Sequence, residues 1–319
     1  MIASFPKLEA GFYPTPLEAM PRLRAHLGPD CPELLIKRDD YTGAGFGGNK
    51  VRKIEYMLAD ARARGADTII TMGGVRSNHA RATAAMCAKF GFHCVLVLNE
   101  TRAVPDRPAS LYLDALYGAE IIRVADRTQR QPTADRIASE VAAQGRKAYV
   151  IPLGASVALG ALGFVKAAEE LAAQTRKVDW LYHCSSSGGT QAGLEVGLRK
   201  CGMESTRLIG VSPDDSSTAI SAHVAEIAAG TAKLLDIDWE PRPLTVDDKF
   251  VGEGYGVPSS EGTAAFDLVA RLEGIVLDPV YTAKAMAALM AHIAEGRFRS
   301  TDRVVFWHTG GQVALFTTP

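Results

Sequence analysis

No cysteine pairing is legible in this chain. Its five cysteines, Cys31, Cys87, Cys94, Cys184 and Cys201, are odd in number and show no CxxC pair or zinc-type spacing. Structural thiols in a reducing cytoplasm are therefore expected, and no metal site. An excess of charge of one sign is lacking too: 35 Lys and Arg against 36 Asp and Glu give a formal net charge of -1. That balance leaves no basic footprint for nucleic acid or an anionic membrane. No apolar run is long enough to span a bilayer, and the N-terminus has no charged-then-apolar signal region. Walker A and GxGxxG spacings are absent, which counts against a nucleotide triphosphate site and a dinucleotide-dependent oxidoreductase. Internal repeats and low-complexity segments are missing as well. What the chain does have is length, 319 residues, enough for two domains or one large α/β unit with an ample core.

Short runs rich in Ile, Val and Leu alternate with longer helix-like stretches. The strand candidates are Leu34–Lys37, Thr68–Met72, Cys94–Leu98, Glu120–Val124, Ala148–Pro152, Trp180–His183, Arg207–Ser212 and Arg303–Trp307. Such runs suit strands buried on both faces of a parallel sheet. Val51–Arg64, Asn78–Phe90, Pro132–Gln144, Ala158–Ala173 and Thr190–Arg199 read as helices, with Gly65, Gly91 and Gly145 placed to end three of them. The rhythm predicts an α/β fold with mainly parallel sheets. Prolines and polar residues interrupt it over Pro213–Tyr255, where loops around a site are expected.

The chemistry concentrates in loops. Gly47-Gly48-Asn49-Lys50 precedes Val51-Arg52-Lys53 and puts a lysine behind a flexible glycine pair at a helix start. Glycines let the backbone approach a bound group, and helix-start amides with nearby cations favour an anion. A desolvated lysine there becomes a nucleophile towards an aldehyde. Together these suggest a lysine holding an anionic aldehyde cofactor, pyridoxal 5'-phosphate. The plain alternative is a glycine turn with basic surface residues. Cys184-Ser185-Ser186-Ser187-Gly188-Gly189-Thr190-Gln191-Ala192-Gly193 follows a strand and opens a helix, a concavity of amides and hydroxyls suited to a phosphate monoester. Gly73-Gly74-Val75-Arg76-Ser77-Asn78-His79 lies at another strand end, where α/β proteins place ligands. Ser77 there either caps a helix or binds a carboxylate. His79 by itself reads equally as a packed helix residue or a catalytic one. Glu253–Pro258 sets Tyr255 between glycines, Leu277–Thr282 leads Tyr281 and Thr282 into an Ala-rich helix, and His308-Thr309-Gly310-Gly311 ends a strand.

Taken in order, Lys-Arg-Asp-Asp (37–40), Gly-Gly-Asn-Lys-Val-Arg-Lys (47–53), Ser-Asn-His (77–79), Ser-Gly-Gly-Thr-Gln-Ala-Gly (187–193), Gly-Tyr-Gly-Val-Pro (254–258), Asp-Pro-Val-Tyr-Thr (278–282) and His-Thr-Gly-Gly (308–311) span nearly the whole chain. This set resembles the D-cysteine desulfhydrase and aminocyclopropane-carboxylate deaminase family, with L-cysteate sulfo-lyase as a relative. The resemblance implies the tryptophan-synthase-β-like fold of pyridoxal phosphate enzymes (fold type II), with two open, twisted, mainly parallel-sheet domains and the cofactor between them. It implies a large domain of residues 1–52 plus 161–319, a small domain of 53–160, and a homodimer. By the same resemblance Lys50 carries the cofactor covalently and Asn78 contacts its 3′ oxygen. Ser187, Gly188, Gly189 and Thr190 hold the phosphate with Lys53 nearby, and Thr282 or Thr309 lies near the pyridine nitrogen. Ser77, Asn78 and His79 face the carboxylate of a small amino-acid substrate, and Tyr255 and Tyr281 border its reacting side chain.

Two positions bear on the reaction. Aminocyclopropane-carboxylate deaminases have a glutamate where this chain has Thr282. A hydroxyl beside the pyridine nitrogen makes the ring a weaker electron sink than a carboxylate does, which favours prompt β-elimination over ring opening. Lys50 is expected to take the Cα proton as general base, the β-substituent to leave, protonated by Tyr281 or Tyr255, and the product to hydrolyse to pyruvate and ammonia. Relatives commonly have glutamine where this chain has Arg76. If that arginine enters the site, the substrate carries a second negative charge, as L-cysteate does; if it points outward, it is a surface residue. Phe46 stands where it could narrow the pocket. The competing readings are an amino-acid racemase, with Ser77 on the opposite cofactor face, and a non-catalytic binder of a phosphorylated ligand.

Overall fold

The computed structural model describes residues 2–100 and 107–318. Its strands form two main sheets. One runs in the order β1 (Leu17–Ala19), β2 (Glu33–Arg38), β11 (Arg303–His308), β8 (Trp180–Cys184), β9 (Arg207–Val211) and β10 (Thr245–Asp247), parallel except for β1. The other is wholly parallel: β6 (Glu120–Val124), β4 (His93–Asn99), β3 (Thr68–Gly74) and β7 (Ala148–Ile151). A short antiparallel pair joins β5 (Arg107–Pro108) to β12 (Thr317–Thr318).

The helices are α1 (Pro21–Leu27), α2 (Asn49–Ala63), α3 (Asn78–Phe90), α4 (Ala109–Leu116), α5 (Arg130–Ala143), α6 (Ala158–Gln174), α7 (Gly189–Lys200), α8 (Ser217–Leu234), α9 (Ser260–Glu273) and α10 (Thr282–Ala294). All eight expected strands are present, and β3 and β8 are buried along their whole length, as continuous apolar runs require. None of the described helices is long and apolar enough to cross a membrane.

One expectation is corrected. Pro213–Tyr255 is not all loop, because α8 fills its centre. Ser216 caps that helix by accepting from the Ala219 amide at 3.3 Å, and Ile220, Val224, Ala228 and Ala232 form a buried stripe four residues apart. Helix α9, likewise unforeseen, is capped by Ser259 and ends on left-handed Gly274.

Close packing of α2, α6 and α7 fixes the site. A Cβ on Gly163 of α6 would fall 2.2 Å from the Arg52 carbonyl oxygen, and one on Gly193 of α7 would fall 2.3 Å from that of Ala161. Only glycine permits these approaches, which bring the start of α2 beside the start of α7. Arg52 locks the arrangement. Its guanidinium forks onto Asp39 (2.7 and 2.9 Å) and reaches Glu170 of α6 at 2.9 Å, while Lys37 binds the other Glu170 oxygen. The Arg52 guanidinium also stacks 4.4 Å from the Tyr13 ring centroid.

Candidate active site

A cavity of about 880 Å³ opens at the carboxyl ends of strands from both sheets. The loop from β2 enters it through Gly47 and Gly48, at φ +72° and +109°, where a Cβ on Gly47 would fall 2.1 Å from the Asp40 carbonyl oxygen. The Asn49 amide donates to the Thr309 carbonyl at 3.0 Å, and Asn49 Nδ2 donates to Thr190 Oγ1 at 3.0 Å. These bonds tie the start of α2 to the loops after β11 and β8. Lys50 is thereby held half-buried on the wall of the cavity. Burial pulls its ammonium down to about 8.

Lys53 lies one turn on, fully buried, with its Nζ donating to the Gly154 carbonyl at 3.2 Å and Ser156 Oγ at 3.1 Å. Burial, with the nearby Lys50, pushes its pKa well down. Among the described residues neither amine forms an ion pair with a carboxylate. Facing them, Gly188 and Gly189 open α7 without a side-chain cap. Ser187 Oγ pairs with Ser156 Oγ at 2.7 Å, and Ser185 Oγ is buried with no partner. A Cβ on Gly189 would fall 2.8 Å from Lys53 Nζ. Uncapped amides, serine hydroxyls and two desolvated amines with no carboxylate partner among the described residues form a cradle for one phosphate-sized anion.

The loop after β3 forms another wall. Ser77 caps α3, accepting from the Ala80 amide at 3.2 Å, so its capping role is realised while it lines the cavity. Arg81, fully buried, donates from Nη1 to Asn78 Oδ1 at 2.7 Å. Arginine only donates, so this bond fixes the Asn78 amide with Nδ2 as its remaining polar group. Thr71 Oγ1 donates to the Ile151 carbonyl at 2.8 Å and therefore accepts from His79 Nε2 at 2.8 Å. The His79 Nδ1 lone pair is left buried and unpartnered, and burial holds the ring neutral.

Opposite, Tyr255 and Tyr281 join hydroxyls at 2.5 Å, their rings edge-on with centroids 5.9 Å apart. Asp278 aims Tyr281 by accepting from the amides of Val280, Tyr281 and Thr282 at 3.0, 3.0 and 2.8 Å. The Thr282 hydroxyl also donates to Asp278, at 2.8 Å, and does not line the cavity, whereas Thr309 does. Arg76 is half-buried and Phe46 is 62 % exposed, and neither is on the lining.

Several lining or supporting residues had no signal in the sequence. Lys284, buried on α10, donates to the Val251 and Gly254 carbonyls at 2.7 and 3.0 Å and so holds the loop carrying Tyr255. Ser156, Arg127 and Arg130 also reach the cavity. They come from connections without a recognisable motif, brought in by the sheet order alone.

The sequence family described as pyridoxal-phosphate dependent enzyme matches residues 8–310. The chain belongs to this family. It is 43% identical over 323 residues to the D-cysteine desulfhydrase of Klebsiella pneumoniae (strain 342), covering 99% of this chain and 97% of that protein. A solved structure described as an ACC deaminase homologue superposes with a TM-score of 0.90 at 35% identity, covering 99% of this chain and 94% of that one. At 16% identity, the processed threonine deaminase isoform 2 of Solanum lycopersicum still gives a TM-score of 0.71 over 97% of this chain and 87% of that one, which shows a shared fold. The fold is thus that of the type II pyridoxal phosphate enzymes, as the motifs implied. The cradle suits this family's cofactor: two amines without a carboxylate partner among the described residues and a serine-glycine loop match an aldehyde that carries a phosphate.

Proposed function

We propose that this pyridoxal phosphate enzyme is a carbon–sulfur lyase that eliminates the β-substituent of a small amino acid such as D-cysteine. The 43% identity to a named D-cysteine desulfhydrase supports the substrate. The observation that carries the chemistry is the Lys50 amine, eased towards its neutral form by burial and sharing one cavity with the Tyr255–Tyr281 pair.

Pyridoxal phosphate, when bound, draws electrons away from the substrate Cα. The protein's part is binding and proton handling. Ser187, Gly188, Gly189 and Thr190, with Lys53, hold the phosphate, and Lys50 fixes the aldehyde carbon. Asn78, its Oδ1 taken by Arg81, has only N–H groups left to offer the ring oxygen. Thr309, which lines the cavity while Thr282 donates to Asp278, would offer the ring nitrogen a hydroxyl rather than a carboxylate. Ser77 and the backbone amides of Asn78 and His79, at the start of α3, would receive the substrate carboxylate, while the His79 ring, whose one N–H is spent on Thr71, has no proton to give it.

With the cofactor in place, Lys50 would be the base positioned to remove the substrate Cα proton. Of the two tyrosine hydroxyls, one donates to the other, so a single phenolic proton remains to be handed to the departing sulfur. D-cysteine and one water give pyruvate, ammonia and hydrogen sulfide. We further infer that the two sheets mark two domains, 1–52 with 161–319 and 53–160, and that the enzyme works as a cytoplasmic homodimer. Purified holoenzyme given D-cysteine should release pyruvate and sulfide in equal amounts, and Lys50→Ala should abolish both. Pyruvate release that survives in Lys50→Ala would remove the assignment.

A further inference from the structure

Arg130 opens α5 on the small-sheet side of the cavity, and Arg127 stands just before it. Its Nε donates to Asn99 Oδ1 at 2.5 Å, and Asn99, at the end of β4, is only 2 % exposed. The other end of the guanidinium lies towards Gly74 at the end of β3, where a Cβ would come 3.9 Å from Nη2. A buried neutral amide thus pins this fork across the ends of two strands. Among the described residues Arg130 has no carboxylate partner. The ionisable groups whose charge reaches it are Tyr255, Tyr281 and Arg127.

Three carboxylates also line the cavity, those of Asp214, Asp215 and Glu226 on the segment after β9, and none of them forms an ion pair with Arg130 among the described residues. Asp214 already accepts from Ser186 Oγ at 3.0 Å and the Asp215 amide at 2.9 Å, and the charges of Arg127 and Lys284 both reach it. Arg130 is left as a half-buried cation with a cavity in front of it and, among the described residues, no carboxylate to neutralise it. Such a charge is costly unless an anion arrives. The sequence made Arg76 the candidate for a second negative charge on the substrate, but Arg76 is off the lining and Arg130 is on it.

We propose that Arg130, assisted by Arg127, is a specificity determinant that admits, alongside D-cysteine, amino acids whose β-substituent is itself anionic, a sulfonate or an equivalent oxyanion. This rests on the reading above, in which Tyr255 and Tyr281 border the β-substituent. A guanidinium held by Nε presents its two terminal N–H groups as a fork, which matches the paired oxygens of a sulfonate or carboxylate.

The test uses the holoenzyme and reads ligand affinity from the change in bound-cofactor absorbance. Cysteate, in each enantiomer, is compared with alanine of the same configuration. Wild type should bind cysteate at least about tenfold more tightly than alanine, and Arg130→Gln should shrink that ratio about tenfold, the worth of one charged hydrogen-bonded contact. Arg130→Lys, which keeps the charge but loses the fork, should fall between them. A ratio unchanged in both variants overturns the proposal, as does a wild type that prefers alanine. Equal weakening of both ligands would move Arg130 to the α-carboxylate and overturn it as well. Pyruvate release from D-cysteine is followed separately. Its absence would count against the lyase reading, while the affinity ratio alone decides the role of Arg130.

Discussion

Replacing Lys50 with Met separates the electrostatics of the site from its chemistry. In the cofactor-free protein the Lys50 ammonium titrates at about 8 instead of 10.5, because burial disfavours the charged form. In the unfolded chain the ordinary value returns. At ~1.4 kcal/mol per pH unit, carrying this ammonium into the fold costs about 3 kcal/mol at pH 7. Between about 8 and 10.5 the unfolded chain binds more protons at this residue than the folded one, so stability rises with pH there. The penalty is therefore fully present below pH 8 and gone above 10.5. Methionine fills a similar volume without charge, and its presence also relieves Lys53, whose own pKa is depressed partly by Lys50. Urea unfolding of the two cofactor-free proteins should show Lys50→Met more stable by up to about 3 kcal/mol at pH 7, and by less than about 1 kcal/mol at pH 10. A variant no more stable than wild type at pH 7, or a gain that does not change with pH, would refute the claim that the site stores this cost.

Tyr281→Phe removes the hydrogen bond to Tyr255 and leaves one hydroxyl where there were two. Turnover of D-cysteine should fall by about 10²- to 10⁴-fold, as loss of a positioned acid does, while the bound-cofactor spectrum persists. A loss under about tenfold would take the tyrosine pair out of proton transfer. Arg52→Ala leaves Asp39 and Glu170 buried with Lys37 as their remaining close cation, and should cost about 3–5 kcal/mol in a denaturation series. A cost below about 1 kcal/mol would mean that this network does not anchor α2.

The central strands were legible because burial on both faces leaves an unbroken apolar run. That holds for β3, β8 and β11, whose expected spans differ from the observed ones by at most two residues. The edges were not: β1 and β10 are three residues each, too short for a period to show. Helix α8 was hidden because its solvent face carries His223 and Glu226, and because prolines on both sides made the whole stretch look like loop. The glycine-lysine and serine-glycine loops were readable because close backbone approach demands glycine whatever surrounds it. What each loop would meet was not readable, since it depends on strand order. Ser156 follows β7 and Ser187 follows β8, strands of different sheets, yet their hydroxyls lie 2.7 Å apart.

The two arginine candidates show the same division in terms of charge. Arg76 sits inside a motif and drew attention by its neighbours in sequence. Arg130 has no motif, and its place follows from β3 and β4 being hydrogen-bonded side by side, which sets Gly74 beside Asn99. Both arginines are half-buried, so burial alone does not separate them. What separates them is the rest of the environment: Arg130 has a fixed Nε, a glycine under its far end and a cavity in front, and Arg76 does not line that cavity. The same reasoning applies to Lys50 and Lys53, where two cations without carboxylate partners mark the phosphate end. Arg130 and Arg127 on the far wall, likewise without a carboxylate partner among the described residues, then call for a second anion, and the substrate is the molecule that can bring one.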